Sequence, residues 1–382
     1  METKQQSNRK VNPEINQKKP ESLTGKPARI AGIELLRSLA MLMVITLHYL
    51  DKGGILASLN EKQTPAGFGA WLLEAFCIVA VNTYVLISGY FLTESGFKLR
   101  RLIELAAQLL FYSLLVPVVL VLTGILPASE LTLYHLLNYI LPVQMNHYWF
   151  ATAYILMYLF APVLSAGVKQ LTQKQLKTVL VLVLAVFSLS KSILPFQLSI
   201  DGHGYDVVWF LCLFLVAAYI RLYGLPVLKK SRQGFLLYGI SCLGIFVLAT
   251  GIAFLSNRLG KFAYFADSTF DYNHILCLLG AIGLFMGFLH WNMPEGRLAA
   301  IARKIAPYTF GVYLLHENRE IRYLWPQWLG IDRYGNGYWS VFHWLGSILI
   351  VFSVGILMDY LRSLLFRGVE SLILKRQGSK KA

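Results

Sequence analysis

Two ionisable residues in the first apolar stretch of the sequence have the types and the spacing to do chemistry. Arg37 and His48 both lie within residues 30–50, where an ionisable side chain costs about 2.5–3.5 kcal/mol to place in hydrocarbon. His48 follows Arg37 by 11 residues, or about three helical turns, so a helix places both on one face, about 16 Å apart along its axis. A neutral imidazole can take a proton from a hydroxyl group near neutral pH, and a guanidinium binds anions. The pattern therefore indicates a base and a cation on one helical stripe.

A second histidine, His316, is expected in the same half of the membrane as His48. It lies about 12 residues into the apolar segment 304–324, which corresponds to about 18 Å along a helix. Each candidate also has an ordinary explanation. Arg37 can pair with Glu34 three residues earlier, His48 can be a hydrogen-bonded packing residue, and His316 can be held by Glu317 or by a backbone carbonyl. The residues by themselves leave both explanations open.

The elements that carry these residues are predicted to be membrane-spanning helices. The chain has 382 residues, of which 56% are hydrophobic and 14% charged, which is more apolar material than a soluble domain needs. A helix needs about 20 residues to cross the hydrocarbon. Ten stretches meet that requirement, approximately residues 30–50, 68–92, 101–126, 147–167, 177–197, 205–223, 234–255, 271–291, 304–324 and 338–361.

The distribution of basic residues predicts how these helices are oriented. Most of the 35 Lys and Arg residues fall at one side of the ten-span arrangement, as expected for cytoplasmic loops. Both termini are therefore predicted to be cytoplasmic. We expect a disordered basic tail at 1–29, a single transmembrane domain at 30–366 and a basic cytoplasmic tail at 367–382. The net charge of +15 belongs to loops on one side of the membrane, so we expect no nucleic-acid partner.

The sequence lacks the patterns of several other chemistries. The cysteines Cys77, Cys212, Cys242 and Cys277 all lie in apolar segments, where a thiol behaves as a small hydrophobe, so neither a disulfide nor a metal site is expected. A nucleotide-binding P-loop and a serine-hydrolase elbow are both absent from the sequence.

Several motifs along the chain resemble those of the membrane-bound acyltransferase type 3 family. The opening of that family carries an Arg, ten intervening residues and a His, which is the spacing from Arg37 to His48. Further matching segments extend over nearly the whole chain, at Gly32–Arg37, Leu86–Leu92, Tyr148–Phe150, Tyr158–Pro162, Trp209–Phe210 and Phe310–Asn318.

The resemblance implies an enzyme of the bacterial inner membrane that transfers an acyl group, expected to be acetyl, from cytoplasmic acyl-coenzyme A. The acceptor would be a hydroxyl of a cell-surface or lipid-linked carbohydrate on the extracytoplasmic side. His48, Arg37 and His316 would be the catalytic residues. The donor phosphates would be bound by Lys98, Arg100 and Arg101 in a predicted cytoplasmic loop. The family has an Arg-x-x-Arg element in this loop, whereas the same spacing here joins Lys98 to Arg101, so it stays open which arginine contacts the donor. The alternative explanation of these three charges is an ordinary cytoplasmic loop that follows the positive-inside rule.

The sequence is also compatible with other functions of the protein and with other roles of its polar residues. Ten helices with buried ionisable residues also describe a transporter or flippase, although no paired Gly- or Pro-broken spans recur in two halves. A glycan polymerase ranks lower, because the 127–146 loop carries little charge. Glu74 and Asn82 could line an acceptor cavity or simply serve helix packing. The acyltransferase hypothesis and the transporter hypothesis differ in whether acyl-coenzyme A is consumed.

Overall fold

The computed structural model describes residues 30–56, 64–95, 97–194, 196–334 and 339–379. The predicted tail at 1–29 and the end of the predicted tail at 367–382 lie outside these residues. The described chain is helical and contains no strand. Its helices are α1 (Ala31–Lys52), α2 (Pro65–Cys77), α3 (Ala80–Ser95), α4 (Leu99–Leu122), α5 (Leu133–Ile140), α6 (Trp149–Gln170), α7 (Gln173–Leu184), α8 (Ser190–Ile193), α9 (Val207–Tyr223), α10 (Ser231–Leu259), α11 (Ala263–Ser268), α12 (Ile275–Leu289), α13 (Arg297–Ile305), α14 (Thr309–His316), α15 (Leu324–Trp328), α16 (Ile331–Tyr334) and α17 (Ser340–Ser379).

Seven helical segments among the described residues are long and apolar enough to cross a membrane, which confirms the all-helical membrane class. They correspond to the predicted spans one to five, seven and ten. Two of these segments combine shorter pieces: α2 with α3, and α7 with α8 through a π-helical turn at Ala185–Leu189. The predicted sixth and eighth spans are the shorter apolar helices α9 and α12. The count of ten spans and the orientation of the termini stay predictions.

The predicted ninth span differs most from the structure. Residues 304–324 do not form one helix: α13 is followed by a 3-10 turn that contains Pro307, and α14 ends at His316. Beyond His316, the side chains of Glu317, Asn318 and Glu320 bond to other elements of the bundle. A continued helix would turn successive side chains about 100° apart and direct some of them toward lipid. The broken backbone keeps these polar groups inside the protein.

Helix α1 occupies the centre of the bundle. It packs against α2, α3, α12, α13, α14 and α17. Of its most apolar stretch, 67% is buried inside the protein, compared with 17% for α17 at the periphery. Arg37 and His48 therefore both lie on the central helix, and each side chain is half-buried.

Helices α10 and α12 approach each other closely at glycines. A Cβ atom added to Gly283 would lie 2.6 Å from the backbone nitrogen of Tyr238 and 2.9 Å from the carbonyl oxygen of Gly234. Neither contact can relax by a side-chain rotation, since both atoms belong to the backbone. Small residues at such crossings are typical of membrane helix pairs, where van der Waals packing drives association.

We expect Gly283→Ala to lower the thermal stability of the detergent-solubilised protein, by about 1–3 kcal/mol for an overpacked contact. The measurement is the temperature at which half of the monomer peak is lost in size-exclusion chromatography after heating. Gly251→Ala in α10 is the matched control, because no atom lies within 4 Å of its added Cβ and alanine favours a helix. Equal midpoints for both variants would contradict the close approach.

Candidate active site

Two histidines from different helices form the centre of the site. His48 lies on the last turns of α1, and His316 is the last residue of α14. The Nδ1 atom of His48 is 2.9 Å from the Nε2 atom of His316. The His48 side chain is 16% exposed, whereas His316 is 2% exposed. His48 is therefore the member of the pair that another molecule can reach.

The hydrogen bonds of this pair define which ring nitrogens carry protons. The Nδ1 atom of His316 is 2.6 Å from the carbonyl oxygen of Val312, which only accepts, so this nitrogen carries the proton. In a neutral His316 the Nε2 atom is then bare and accepts a hydrogen bond from Nδ1–H of His48. The Nε2 atom of a neutral His48 is consequently the unprotonated one. This arrangement leaves His48 with a free basic nitrogen.

A carboxylate lies beside the histidine pair. Oε2 of Glu317 is 3.2 Å from Nδ1 of His48, and Glu317 is only 3% exposed. Glu317 also forms ion pairs with Lys52 and, at 3.2 Å, with Arg322. An unpaired charge in such a place is strongly unfavourable, and the two cations supply the partners of this carboxylate. Glu317 thus links the end of α1 to the turn that follows α14.

The turn that follows α14 is fixed by polar contacts. The amide of Asn318 donates to the hydroxyl of Tyr148 at 2.7 Å and to the carbonyl of Tyr112 at 3.2 Å. The Tyr148 hydroxyl in turn donates to the carbonyl of Leu314 at 3.0 Å. These bonds satisfy buried backbone and side-chain groups at the end of α14. They hold His316 and Glu317 in place relative to α1.

Arg37 lies on α1 and has no carboxylate partner among the described residues. Its Nε atom is buried and makes no hydrogen bond, and its backbone carbonyl accepts from the hydroxyl of Tyr84. Among the described residues no ion pair joins Arg37 to Glu34, so that pair does not explain the arginine. A half-buried guanidinium with an unused donor is a suitable contact for an anionic or carbonyl-bearing ligand.

The three candidate donor-binding residues lie apart from the histidines, at the start of α4. Arg100 is 74% exposed and pairs with Glu104 at 2.8 Å and with Glu370 at 2.9 Å. Arg101 makes no ion pair with any described residue, and its guanidinium lies 5.9 Å from the ring centre of Tyr158. Lys98 precedes the helix, and its backbone groups bond to the Tyr158 hydroxyl. Of the two arginines, Arg101 is the one whose charge is unpaired.

Sequence reasoning did not identify Lys52 and Arg322 as parts of the site. One signal was present, because Lys52 follows His48 by four residues and therefore shares its helix face. No comparable signal existed for Arg322, which reaches Glu317 only because the chain turns after His316.

Comparisons with known proteins agree with the motifs. A family model described as an acyltransferase domain matches residues 30–360. No curated protein and no solved structure matches the chain significantly. The family match covers every element of the site described above and confirms the resemblance found in the motifs. The chain belongs to the membrane-bound acyltransferase type 3 family.

Proposed function

We propose that the protein transfers an acetyl group from acetyl-coenzyme A on the cytoplasmic side of the inner membrane to a carbohydrate hydroxyl on the extracytoplasmic side. The observation that carries this proposal is the free Nε2 atom of His48, whose tautomer is fixed by the hydrogen bond to His316. Family membership supplies the reaction class, and the site supplies a base placed to act on a hydroxyl.

His48 is the general base of the proposed reaction. Its Nε2 atom takes the proton from the acceptor hydroxyl while the hydroxyl oxygen forms a bond to the thioester carbon. The carbon–sulfur bond then breaks, and His48 returns the proton to the departing thiolate. The proton count is balanced, so no metal or redox partner is needed. His316 acts through His48 and is a positioning residue, as is Glu317.

Arg37 and the basic residues at the start of α4 are proposed to bind the donor. Coenzyme A carries several phosphate charges, and arginine binds phosphate oxygens in a bidentate manner. Arg101 would hold a phosphate, since its charge is unpaired, and Arg37 would contact the donor further along α1 with its unused Nε–H. The polar groups of acetyl-coenzyme A would thus bind to N–H groups that the folded chain does not use.

His48→Ala is expected to reduce acetyl transfer at least a hundredfold, the usual contribution of a general base. Purified protein is incubated with radiolabelled acetyl-coenzyme A and a glycan panel of glucose, galactose and N-acetylglucosamine hexasaccharides and a lipid-linked disaccharide. Label in the glycan fraction is counted. His135→Asn is the matched control, because the hydrogen bonds of His135 among the described residues all go to Thr132 at its own helix start. Equal transfer by His48→Ala and wild type would remove His48 from the mechanism.

Arg101→Ala is expected to raise the KM for acetyl-coenzyme A about tenfold, whereas Arg100→Ala should raise it less than about threefold. The difference follows from the carboxylates that already neutralise Arg100, while a charged hydrogen bond lost at Arg101 is worth about 1.5–3 kcal/mol. The measurement is the initial rate at varied donor concentration with saturating acceptor. A larger increase of this KM in Arg100→Ala than in Arg101→Ala would contradict the prediction and show that the ion pairs of Arg100 open for the donor.

A further inference from the structure

Helix α5, in the predicted loop 127–146, turns its polar side toward the protein and its apolar side outward. The buried residues of α5 are Asn138 and Tyr139. Four apolar residues at a spacing of i, i+3, i+4 and i+7 are 38–72% exposed, namely Leu133, Leu136, Leu137 and Ile140. At about 100° per residue these four share one arc of the helix, opposite the two buried residues. We call the four the outward face of α5.

The inward side of α5 is fixed by hydrogen bonds to the turn that follows α14. Arg319 donates from Nη1 to Oδ1 of Asn138 at 3.2 Å, and the Tyr139 hydroxyl donates to Oε1 of Glu320 at 2.9 Å. Arg319 and Glu320 belong to the same turn as Glu317. These bonds determine the rotation of α5 about its axis, so the outward face is directed away from the rest of the protein.

Helix α5 lies beside α4, within the length of that helix rather than beyond its end. The Ser113 hydroxyl donates to the carbonyl of Tyr139 at 2.7 Å. Ser113 precedes the last residue of α4, Leu122, by nine residues, or about 14 Å along the axis. Helix α4 is one of the seven membrane-crossing segments, and its 24 residues are about 36 Å long, compared with about 30 Å of hydrocarbon. Even if the excess of about 6 Å protrudes entirely at this end, Tyr139 lies about 8 Å inside the hydrocarbon.

The turn that follows α14 meets α4 at the same level. The amide of Asn318 donates to the carbonyl of Tyr112 at 3.2 Å, one residue before the serine that bonds to α5. Helix α4 packs against α5, and its exposed residues at this level, Leu110 and Leu114, are apolar as well. The outward face of α5 and the turn that holds Glu317 therefore lie at one depth in the bundle.

Backbone groups at both ends of α5 find partners close by, as a segment in hydrocarbon requires. Thr132 and His135 form a capping box at the start of the helix. After its end, the N–H groups of Leu141 and Met145 donate to the carbonyls of Leu137 and Leu141 at 2.8 and 2.9 Å. An unpaired backbone group would be costly at this depth, because lipid offers it no hydrogen bond.

We propose that α5 is a re-entrant helix whose outward face lies in the hydrocarbon of the bilayer and which anchors the turn of Glu317 at that depth. The partner of the outward face is lipid acyl chains. In water this face would expose four large apolar side chains in one patch, which soluble surfaces avoid, whereas hydrocarbon is the medium around α4 at the level of Ser113. The inference does not depend on the reaction that the protein catalyses.

A nitroxide spin label at Leu136→Cys measures the environment of the outward face. The protein is placed in nanodiscs of phosphatidylcholine and phosphatidylglycerol, and collisions of the label with oxygen and with a nickel chelate are compared. Ser129→Cys is the matched control, since Ser129 is exposed in the 3-10 turn Ala128–Glu130 that precedes α5. The ratio of oxygen to nickel accessibility is expected to be about tenfold higher at Leu136, because a polar chelate is excluded from hydrocarbon. The native cysteines are buried and are expected to stay unlabelled.

Two results of the labelling experiment would overturn the re-entrant helix. A ratio at Leu136 as low as that at Ser129 would place the outward face in water. Low accessibility of Leu136 to both reagents would show that it is covered by protein, for example by a second copy of the chain.

Hydrogen exchange of the peptide 317–322 in nanodiscs tests the anchoring of the turn. Leu136→Glu is expected to speed this exchange about tenfold, because a carboxylate draws α5 out of hydrocarbon and away from Arg319 and Glu320. Ser129→Glu is the matched control and is expected to exchange as wild type does.

Tyr139→Phe provides an independent variant that keeps the volume of the side chain. It removes the bond to Glu320 and is expected to speed the same exchange about tenfold, the effect of losing one hydrogen bond to a carboxylate. Exchange within α12 should stay unchanged in both variants, which distinguishes local release from unfolding. Wild-type exchange of 317–322 in Tyr139→Phe, or an equal increase throughout the protein, would overturn the anchoring.

Discussion

The hydrogen bond between Nδ1 of His316 and the carbonyl of Val312 is the interaction on which the chemistry of the site depends. The carbonyl belongs to the preceding turn of α14, so the helix itself determines the tautomer of its last residue. Through the contact of 2.9 Å with His48, that tautomer leaves the more exposed imidazole with a bare nitrogen. A backbone group thus sets the protonation pattern of a side chain on another helix.

Keeping this arrangement inside a membrane protein requires a broken helix and a set of buried ion pairs. Glu317 can reach His48, Lys52 and Arg322 because the chain leaves helical geometry after His316. Removal of one member of a buried ion pair costs about 3–5 kcal/mol, because the remaining charge has no partner. The stability of the bundle and the electrostatics of the site therefore depend on the same carboxylate.

The sequence predicted those features that follow from periodicity and local spacing. The single helix that carries Arg37 and His48 could be derived from the apolar stretch 30–50. It did not predict the contact between the two histidines, which depends on how α1 and α14 pack. Periodicity also does not predict the length of a helix to within a few residues, as α9 and α12 show, or a break such as the one between α13 and α14.

The position of α1 constrains how the proposed acyl transfer across the membrane can occur. Arg37 and His48 belong to one uninterrupted helix of 22 residues, so their separation is fixed at about 16 Å. Protein surrounds most of this helix, and α1 carries no proline within it that would permit a hinge. In the proposed reaction the distance between the two sides is therefore spanned by the extended arm of the donor rather than by movement of the site. This differs from a transporter, in which one part of the protein must move against another to expose a bound substrate to the opposite side.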